Sequence, residues 1–258
     1  MFKYLKAICL LIPRFIWAYF TWILRYSINP KKYPIEKRFN KVQSICKKVL
    51  AAFDIVCYKE DFVNFYKTKD KNKNYIVIAN HMSFLDPLLF LSVAETPITF
   101  IAKKETRKYP LVNRIIRIME GEFLDREDLK QELKVFMNVQ KRLVSDEKMD
   151  ILIFPEGTRI KDPYAEVAAF HPGTFRCAFK SQAPIMVTPI FGTFRAVNTK
   201  YKDRHNAVMI KTIKEIKYED YKDMNTVELS EYVHDLVNNE VTNYKIEEPK
   251  KLKFINKK

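Results

Sequence analysis

The 258-residue chain is short of glycine, with four in all, at positions 121, 157, 173 and 192. A chain so sparing keeps glycine where a positive φ or a close backbone approach is needed. Each one therefore marks a place to look. The four cysteines, Cys9, Cys46, Cys57 and Cys177, form no CxxC pair and no metal-ligand spacing. That excludes a disulfide framework or zinc site and leaves reduced, buried thiols as the expectation. Cys46 and Cys57, eleven apart, share one face if that segment is helical. Acids are nearly missing from the first fifth: residues 1–50 hold eleven Lys or Arg and only Glu36 against them, which is two-thirds of the net +15. A long unbroken apolar run is also missing. Residues 7–24 (AICLLIPRFIWAYFTWIL) are cut by Pro13-Arg14, which argues against a membrane span. No small-residue cleavage site follows, so a removed signal peptide is not expected. No internal repeat is present.

What remains is ample for a folded domain. The chain is 47% hydrophobic and 30% charged, enough apolar surface for a core and too many charges for a wholly membrane-embedded protein. A net charge of +15 calls for an anionic partner, nucleic acid or an anionic membrane. In the first segment Lys3, Arg14 and Arg25 are each eleven apart and form one cationic stripe on a helix. Phe15, Trp17, Phe20, Trp22 and Ile23 occupy the rest of its surface. That pattern suits a helix lying in the membrane interface. After a loop at 26–35, residues 36–57 carry Phe39, Val42, Ile45, Cys46, Val49, Leu50, Phe53 and Val56 at helical spacing, with Lys37, Lys41, Ser44 and Lys48 opposite. The expectation is an amphipathic two-helix hairpin facing an anionic membrane. The plainer alternative is a hairpin that only packs on the domain.

The remainder alternates. Strands are predicted at 62–66, 75–79, 98–102, 120–124, 150–154, 184–190 and 207–212. Helices are predicted near 87–95, 104–118, 127–146, 173–181 and 226–244. In the helix at 127–146, Leu129, Leu133, Phe136, Met137, Val139 and Leu143 are read as lying on one side. Strands separated by helices indicate an α/β fold with a mostly parallel central sheet flanked by helices. In such sheets the site lies at the carboxyl ends of the strands. Residues after about 244 are Lys-rich and are expected to be mobile.

Polar clusters stand at four of those ends: Asn80-His81-Met82-Ser83-Phe84-Leu85-Asp86, Gly121-Glu122-Phe123-Leu124-Asp125-Arg126, Phe154-Pro155-Glu156-Gly157-Thr158-Arg159, and the Pro-flanked strand 184–189. Histidine is the side chain best suited to proton transfer near neutral pH. A carboxylate that takes its other ring N–H fixes the tautomer and steadies the imidazolium. Positions five apart diverge by ~140° on a helix, so His81 and Asp86 meet only if a turn lies between them. The plain alternative is Asp86 as a helix N-cap with Pro87 at the first helical position. No Cys-His-acid order stands out, so the expected nucleophile is a substrate hydroxyl, with His81 as its base. Glu156, Gly157, Thr158 and Arg159 offer N–H donors, a hydroxyl and a guanidinium suited to phosphate, against the alternative of a Glu–Arg pair on a surface turn. Arg126 is a second phosphate ligand, or else the ion-pair partner of Asp125 or Asp128. Lys103 and Lys104 add positive charge on the same face.

With NHMSFLD, GEFLDR, FPEGTR and APIMVTPI in order, the chain resembles the glycerolipid acyltransferase family, specifically the lysophosphatidic acid (1-acyl-glycerol-3-phosphate) acyltransferases. The resemblance covers about 75–195. It implies that His81 deprotonates the free hydroxyl of a lysophospholipid and that Asp86 orients His81. It implies that Asn80, Lys104, Arg126, Glu156, Gly157, Thr158 and Arg159 form the acceptor site, without metal or covalent intermediate. The co-substrate would be an acyl thioester of coenzyme A or acyl carrier protein, and no cofactor is expected to be bound. The expected organisation is a membrane-associating hairpin at 1–58, the acyltransferase domain at 59–245 and a basic tail at 246–258. The expected location is the cytoplasmic face of the cell membrane, with no nucleic-acid partner. Three departures from the family pattern are the continuation Ile160-Lys161-Asp162, the long acidic segment 160–170, and Thr188 inside the fourth block. The same chemistry on glycerol 3-phosphate, another lysophospholipid or an amino-lipid is the nearest alternative. A non-catalytic protein that binds anionic lipid is the other, and it would be indifferent to His81 and Asp86.

Overall fold

In a computed structural model the backbone is described for residues 2–201 and 203–256, and the side chains from residue 9 onward within them. The side chain of Lys3, expected in the cationic stripe, and the last two lysines of the tail lie outside the described residues. The first part is helical: α1 (Phe2–Ala18), a π-helical turn (Tyr19–Ile23), α2 (Leu24–Ile28) and α3 (Ile35–Ala52). Then follow β1 (Ile55–Tyr58), α4 (Glu60–Thr68), β2 (Ile76–Ile78), α5 (Asp86–Val93), β3 (Ile98–Lys103), α6 (Pro110–Ile118), β4 (Glu122–Leu124) and α7 (Leu129–Leu143). The chain continues through β5 (Asp150–Ile153), α8 (Arg176–Ser181), β6 (Ile185–Val187), β7 (Ile190–Phe191), α9 (Thr193–Val197), β8 (Asn206–Ile210), β9 (Lys214–Ile216), α10 (Tyr218–Tyr221) and α11 (Thr226–Asn256).

The larger sheet has the order β4-β3-β5-β2-β6-β9. It is parallel except where β9 runs against β6. Its central strands are apolar runs because both faces are covered. One face packs against α3, α4, α5 and α6, and the other against α7, α8 and α11. This is the mostly parallel, helix-flanked α/β sheet that the alternating pattern predicts. A smaller sheet, β1-β8-β7, stands beside it.

Several elements differ from the sequence expectation. Residues 62–66 are helical, within α4, because Phe62 and Tyr66 reach the core four apart and Glu60 and Asp61 favour a helix N-terminus. The strand expected at 184–190 is two: Pro189 has no N–H to continue a ladder, and the chain crosses there from one sheet to the other. The helix expected over 36–57 stops at Ala52. Asp54 takes a positive φ of 51° and β1 then pairs with β8, so Cys46 and Cys57 do not share a helix face. The basic tail is not a loose end as far as Asn256. It continues α11, with Leu252 and Ile255 buried and Glu248 held by Arg195 through paired bonds of 2.6 and 2.9 Å. In α7 the buried residues are Val135, Val139 and Leu143, whereas Leu129, Leu133 and Met137 face outward. Burial raises the Cys46, Cys57 and Cys177 thiols to about 12.

The N-terminal helices both pack on the domain and expose apolar surface. In α3 Phe39, Val42, Cys46, Val49 and Leu50 are buried. Trp22 and Ile23 are buried too, and so do not join the outer surface expected of them. Leu10, Ile12, Ile16, Trp17, Phe20 and Ile28 are exposed, along with Arg14 and Arg25. Among the described residues no helix is long and apolar enough to cross a membrane.

Candidate functional site

The loop after β2 folds back so that Asp86 sits under His81. The Asp86 carboxylate is fully buried. One oxygen accepts the main-chain N–H groups of Met82 and Ser83, each at 2.7 Å, and meets His81 Nδ1 at 2.7 Å. The other oxygen accepts the Thr193 hydroxyl at 2.5 Å. Asp86 thus binds the loop that precedes α5 and does not cap the helix that follows it. With two N–H donors already on that oxygen, His81 Nδ1 is the donor of the third bond. Nε2 is left as the basic nitrogen. The imidazole stacks on Phe154, centroids 4.3 Å apart and planes 19° from parallel. A carboxylate on one side and a ring on another fix its orientation.

The loop after β5 is stitched to this one. The His81 N–H donates to the Glu156 carboxylate, and Ile160 N–H donates to the His81 carbonyl at 2.9 Å. Glu156 is buried and accepts a second bond from the Ala168 N–H. Burial raises its carboxyl to about 7, and Asp86 nearby adds to the rise. Glu156 therefore lies behind the cavity wall, holding two loops in register. Asn80 is likewise turned inward, clamping β7 through both bonds to the Ile190 backbone.

Gly157 closes the turn with φ +66°, donating its N–H to the Phe154 carbonyl at 3.0 Å. A Cβ there would fall 1.6–2.0 Å from the Arg126 guanidinium. Glycine thus supplies both the left-handed backbone and the space in which Arg126 lies. Arg126 Nη1 donates to His171 Nε2 at 3.0 Å. Burial, with Arg126 alongside, lowers the tendency of His171 to protonate, as an acceptor nitrogen requires. Thr158 and Arg159 are exposed, and among the described residues neither side chain has a hydrogen bond or ion pair. Lys104 bonds to Asp125 at 2.8 Å and Glu127 at 3.1 Å, which raises its pKa and braces the turn that carries Arg126.

One cavity of about 600 Å³ unites these groups, within the ~300–1,000 Å³ range of small-ligand sites. Its polar end is lined by His81, Lys103, Arg126, Gly157, Thr158 and Arg159. Its apolar body runs between the sheet face and the helices, past Phe15, Cys46, Leu91, Phe100, Ile115 and Phe136. Of the sequence-predicted residues, His81, Arg126, Gly157, Thr158 and Arg159 line this cavity. Asp86, Asn80, Glu156 and Lys104 stand behind or beside it. The shape joins a base and a cluster of cations to a long apolar slot. That suits a ligand with a phosphate, a hydroxyl and a hydrocarbon chain.

Sequence reasoning gave no role to Thr193, His171 or Phe154, although Phe154 opens the FPEGTR cluster. Gly192 was the available signal for Thr193. It has φ +103°, and a Cβ there would come 2.1 Å from the Ala207 carbonyl oxygen, so only glycine lets α9 start where Thr193 reaches Asp86. The stretch FHPGTFRCAF has the look of the family, but nothing local gives His171 a role, because its partner is 45 residues away.

The comparisons with known proteins point to one family. Residues 59–191 match the family model described as Acyltransferase. A Mycoplasma pneumoniae protein named probable 1-acyl-sn-glycerol-3-phosphate acyltransferase is 27% identical over 207 residues, 77% of this chain and 74% of its own length. The 1-acyl-sn-glycerol-3-phosphate acyltransferase of Saccharomyces cerevisiae is 30% identical over 164 residues, 63% of this chain and 54% of its own. Among solved structures, the 1-acyl-sn-glycerophosphate (LPA) acyltransferase from Thermotoga maritima superposes with a TM-score of 0.68 at 25% identity, covering 94% of this chain and 98% of that one.

Proposed function

The chain belongs to the acyltransferase family, and from that premise we propose that it moves a fatty acyl group from an acyl thioester to the free hydroxyl of lysophosphatidic acid, giving phosphatidic acid. The observation that carries this reading is the His81–Asp86 pair at the polar end of a cavity that also holds Arg126 and Arg159. His81 Nε2 takes the hydroxyl proton as the oxygen attacks the thioester carbonyl. A C–O bond forms, the tetrahedral intermediate collapses, the C–S bond breaks, and the imidazolium returns its proton to the departing thiolate. Asp86 holds the imidazole in the reactive tautomer and stabilises the imidazolium. Arg126, Arg159, Thr158 and Lys103 bind the acceptor phosphate, and the apolar slot takes a hydrocarbon chain. Glu156, Asn80 and Lys104 act one step removed, by positioning the loops.

On the same reading the acyl donor is a thioester of coenzyme A or of acyl carrier protein. The enzyme works at the cytoplasmic face of a membrane, with α1 in the interface. Trp17 and Phe20, 63% and 74% exposed, and the cations Arg14 and Arg25 support that placement. The test is incubation with lysophosphatidic acid and each thioester, following thiol release and identifying the lipid product by mass spectrometry. Glycerol 3-phosphate and other lysophospholipids serve as competing acceptors. His81→Ala is expected to lose ~10³-fold or more in turnover. Turnover like wild type in that variant refutes the assigned base.

A further inference from the structure

Helix α7 carries two apolar stripes. One, Val135, Val139 and Leu143, is core. The other, Leu129, Leu133 and Met137 with Val144 just beyond the helix, is 68%, 47%, 56% and 65% exposed. At 100° per residue these four span about 80° of the helix surface, interrupted only by the half-buried Gln140, over a length of about 22 Å. Lys130, Lys134 and Lys141, all exposed, occupy the next ~40°. An exposed apolar arc edged by lysines on one side is the pattern of a helix resting in a lipid interface, with the lysine stems lying over apolar surface and the ammonium groups at the headgroups.

We propose that this arc is a second membrane-contacting surface, and that its partner is an anionic bilayer. Three observations favour lipid. First, α7 borders the same cavity as α1. Phe136 enters it beside the exposed Leu133 and Met137, as Phe15 does beside the exposed Ile12, Ile16 and Trp17. Both helices turn apolar neighbours outward from one opening. Second, Phe84, Tyr109 and Val112 line that cavity and are themselves 53%, 53% and 45% exposed. Apolar surface therefore continues around the mouth. Third, the arc has no Trp, Tyr or Arg, the side chains that anchor protein partners. The inference rests on the reading of the acceptor as a membrane lipid. With α1 on one side of the opening and α7 on another, a lipid enters the cavity from the bilayer without crossing water.

Full-length protein is sedimented with vesicles of phosphatidylcholine mixed with phosphatidylglycerol. The triple variant Leu129→Gln, Leu133→Gln, Met137→Gln is expected to partition about tenfold more weakly. Its circular dichroism and its thiol release in detergent micelles stay at wild-type levels, because none of the three lines the cavity. Lys130→Gln, Lys134→Gln, Lys141→Gln is expected to weaken binding only when phosphatidylglycerol is present. Trp17→Gln with Phe20→Gln tests the first helix separately. Loss of binding in that variant and none in the α7 triple variant overturns the inference and leaves the first contact standing. Unchanged binding in both overturns the membrane reading itself. A triple variant that binds vesicles normally but loses turnover only with acyl carrier protein thioesters marks the arc as a dock for an acidic protein, and overturns the inference as well.

Discussion

The strand β5 separates two buried aspartates that look alike and do different things. At its start Asp150 accepts from the Lys69 ammonium, the Tyr66 and Thr96 hydroxyls at 3.4 and 3.2 Å, and the Tyr75 N–H at 2.9 Å. Beyond its far end Asp86 accepts from His81, two main-chain N–H groups and Thr193. Both carboxylates are fully occupied. The difference is in the partner. Lys69 is enclosed, with its ammonium 4.7 and 4.9 Å from the ring centroids of Tyr66 and Tyr75. His81 keeps its second nitrogen, and its side chain is 19% exposed at a cavity wall. A satisfied buried ion pair is architecture. It becomes chemistry when one partner can take up and release a proton and retains a free edge where substrate arrives.

Exchanging the same substitution between the two ends separates these roles. Asp86→Asn is expected to cost ~10³-fold in turnover, because the amide favours the wrong imidazole tautomer, with little change in melting temperature. Asp150→Asn leaves Lys69 buried without a counter-charge. It is expected to cost ~3–5 kcal/mol of stability, while the folded fraction turns over normally. Denaturant unfolding and turnover per folded molecule measure both. If Asp86→Asn unfolds the chain and the folded remainder stays active, the contrast between the ends is wrong.

Smaller effects probe the neighbours of the pair. Gly157→Ala forces a Cβ into the Arg126 guanidinium and strains a backbone at φ +66°. The guanidinium is the part that can swing away. The acceptor KM is therefore expected to rise about tenfold with a lesser change in kcat, and combining Gly157→Ala with Arg126→Ala is expected to add little, since both remove one interaction. Thr193→Val leaves an Asp86 oxygen without its donor. A loss of about tenfold in kcat with KM unchanged is expected, and Thr193→Ser is expected to restore it. A serine variant no better than valine would mean that the methyl group, and not the hydroxyl, matters.

The same contrast explains what was legible in the sequence. His81, Asp86 and the FPEGTR turn are neighbours along the chain, and their chemistry depends on local spacing, so reading residues in order finds them. Thr193 meets Asp86 across 107 residues, and only the fold brings them together. Helix existence was readable and helix facing was not. In α7 Val135, Val139, Leu143 and Leu129, Leu133, Met137 are equally periodic, and periodicity cannot say which stripe meets the core. The end of α11 was misread for a related reason. Glu248 occupies a core position with Pro249 next to it, and that burial is sustained by a partner, Arg195, 53 residues away.

The smallest expected effect concerns Glu156, the carboxylate that belongs to neither class. It is buried like the two aspartates, yet among the described residues it has no ion pair, and its partners are main-chain N–H groups of His81 and Ala168, with His234 close enough to oppose the effect of burial weakly. Burial accordingly raises its carboxyl from 4.5 to about 7. Between those values the folded chain holds a proton that the unfolded chain has released. This group's contribution to stability therefore rises as pH falls from 7 toward 4.5, and is lost as pH rises through 7. Glu156→Gln cannot ionise. Its melting temperature relative to wild type is expected to climb as pH rises from 4.5 to 7, by on the order of a few °C, whatever constant offset the lost N–H acceptor introduces. A difference that stays flat from pH 4.5 to 7 would show that Glu156 is already ionised throughout, and that the two N–H groups suffice to hold a bare charge behind the site.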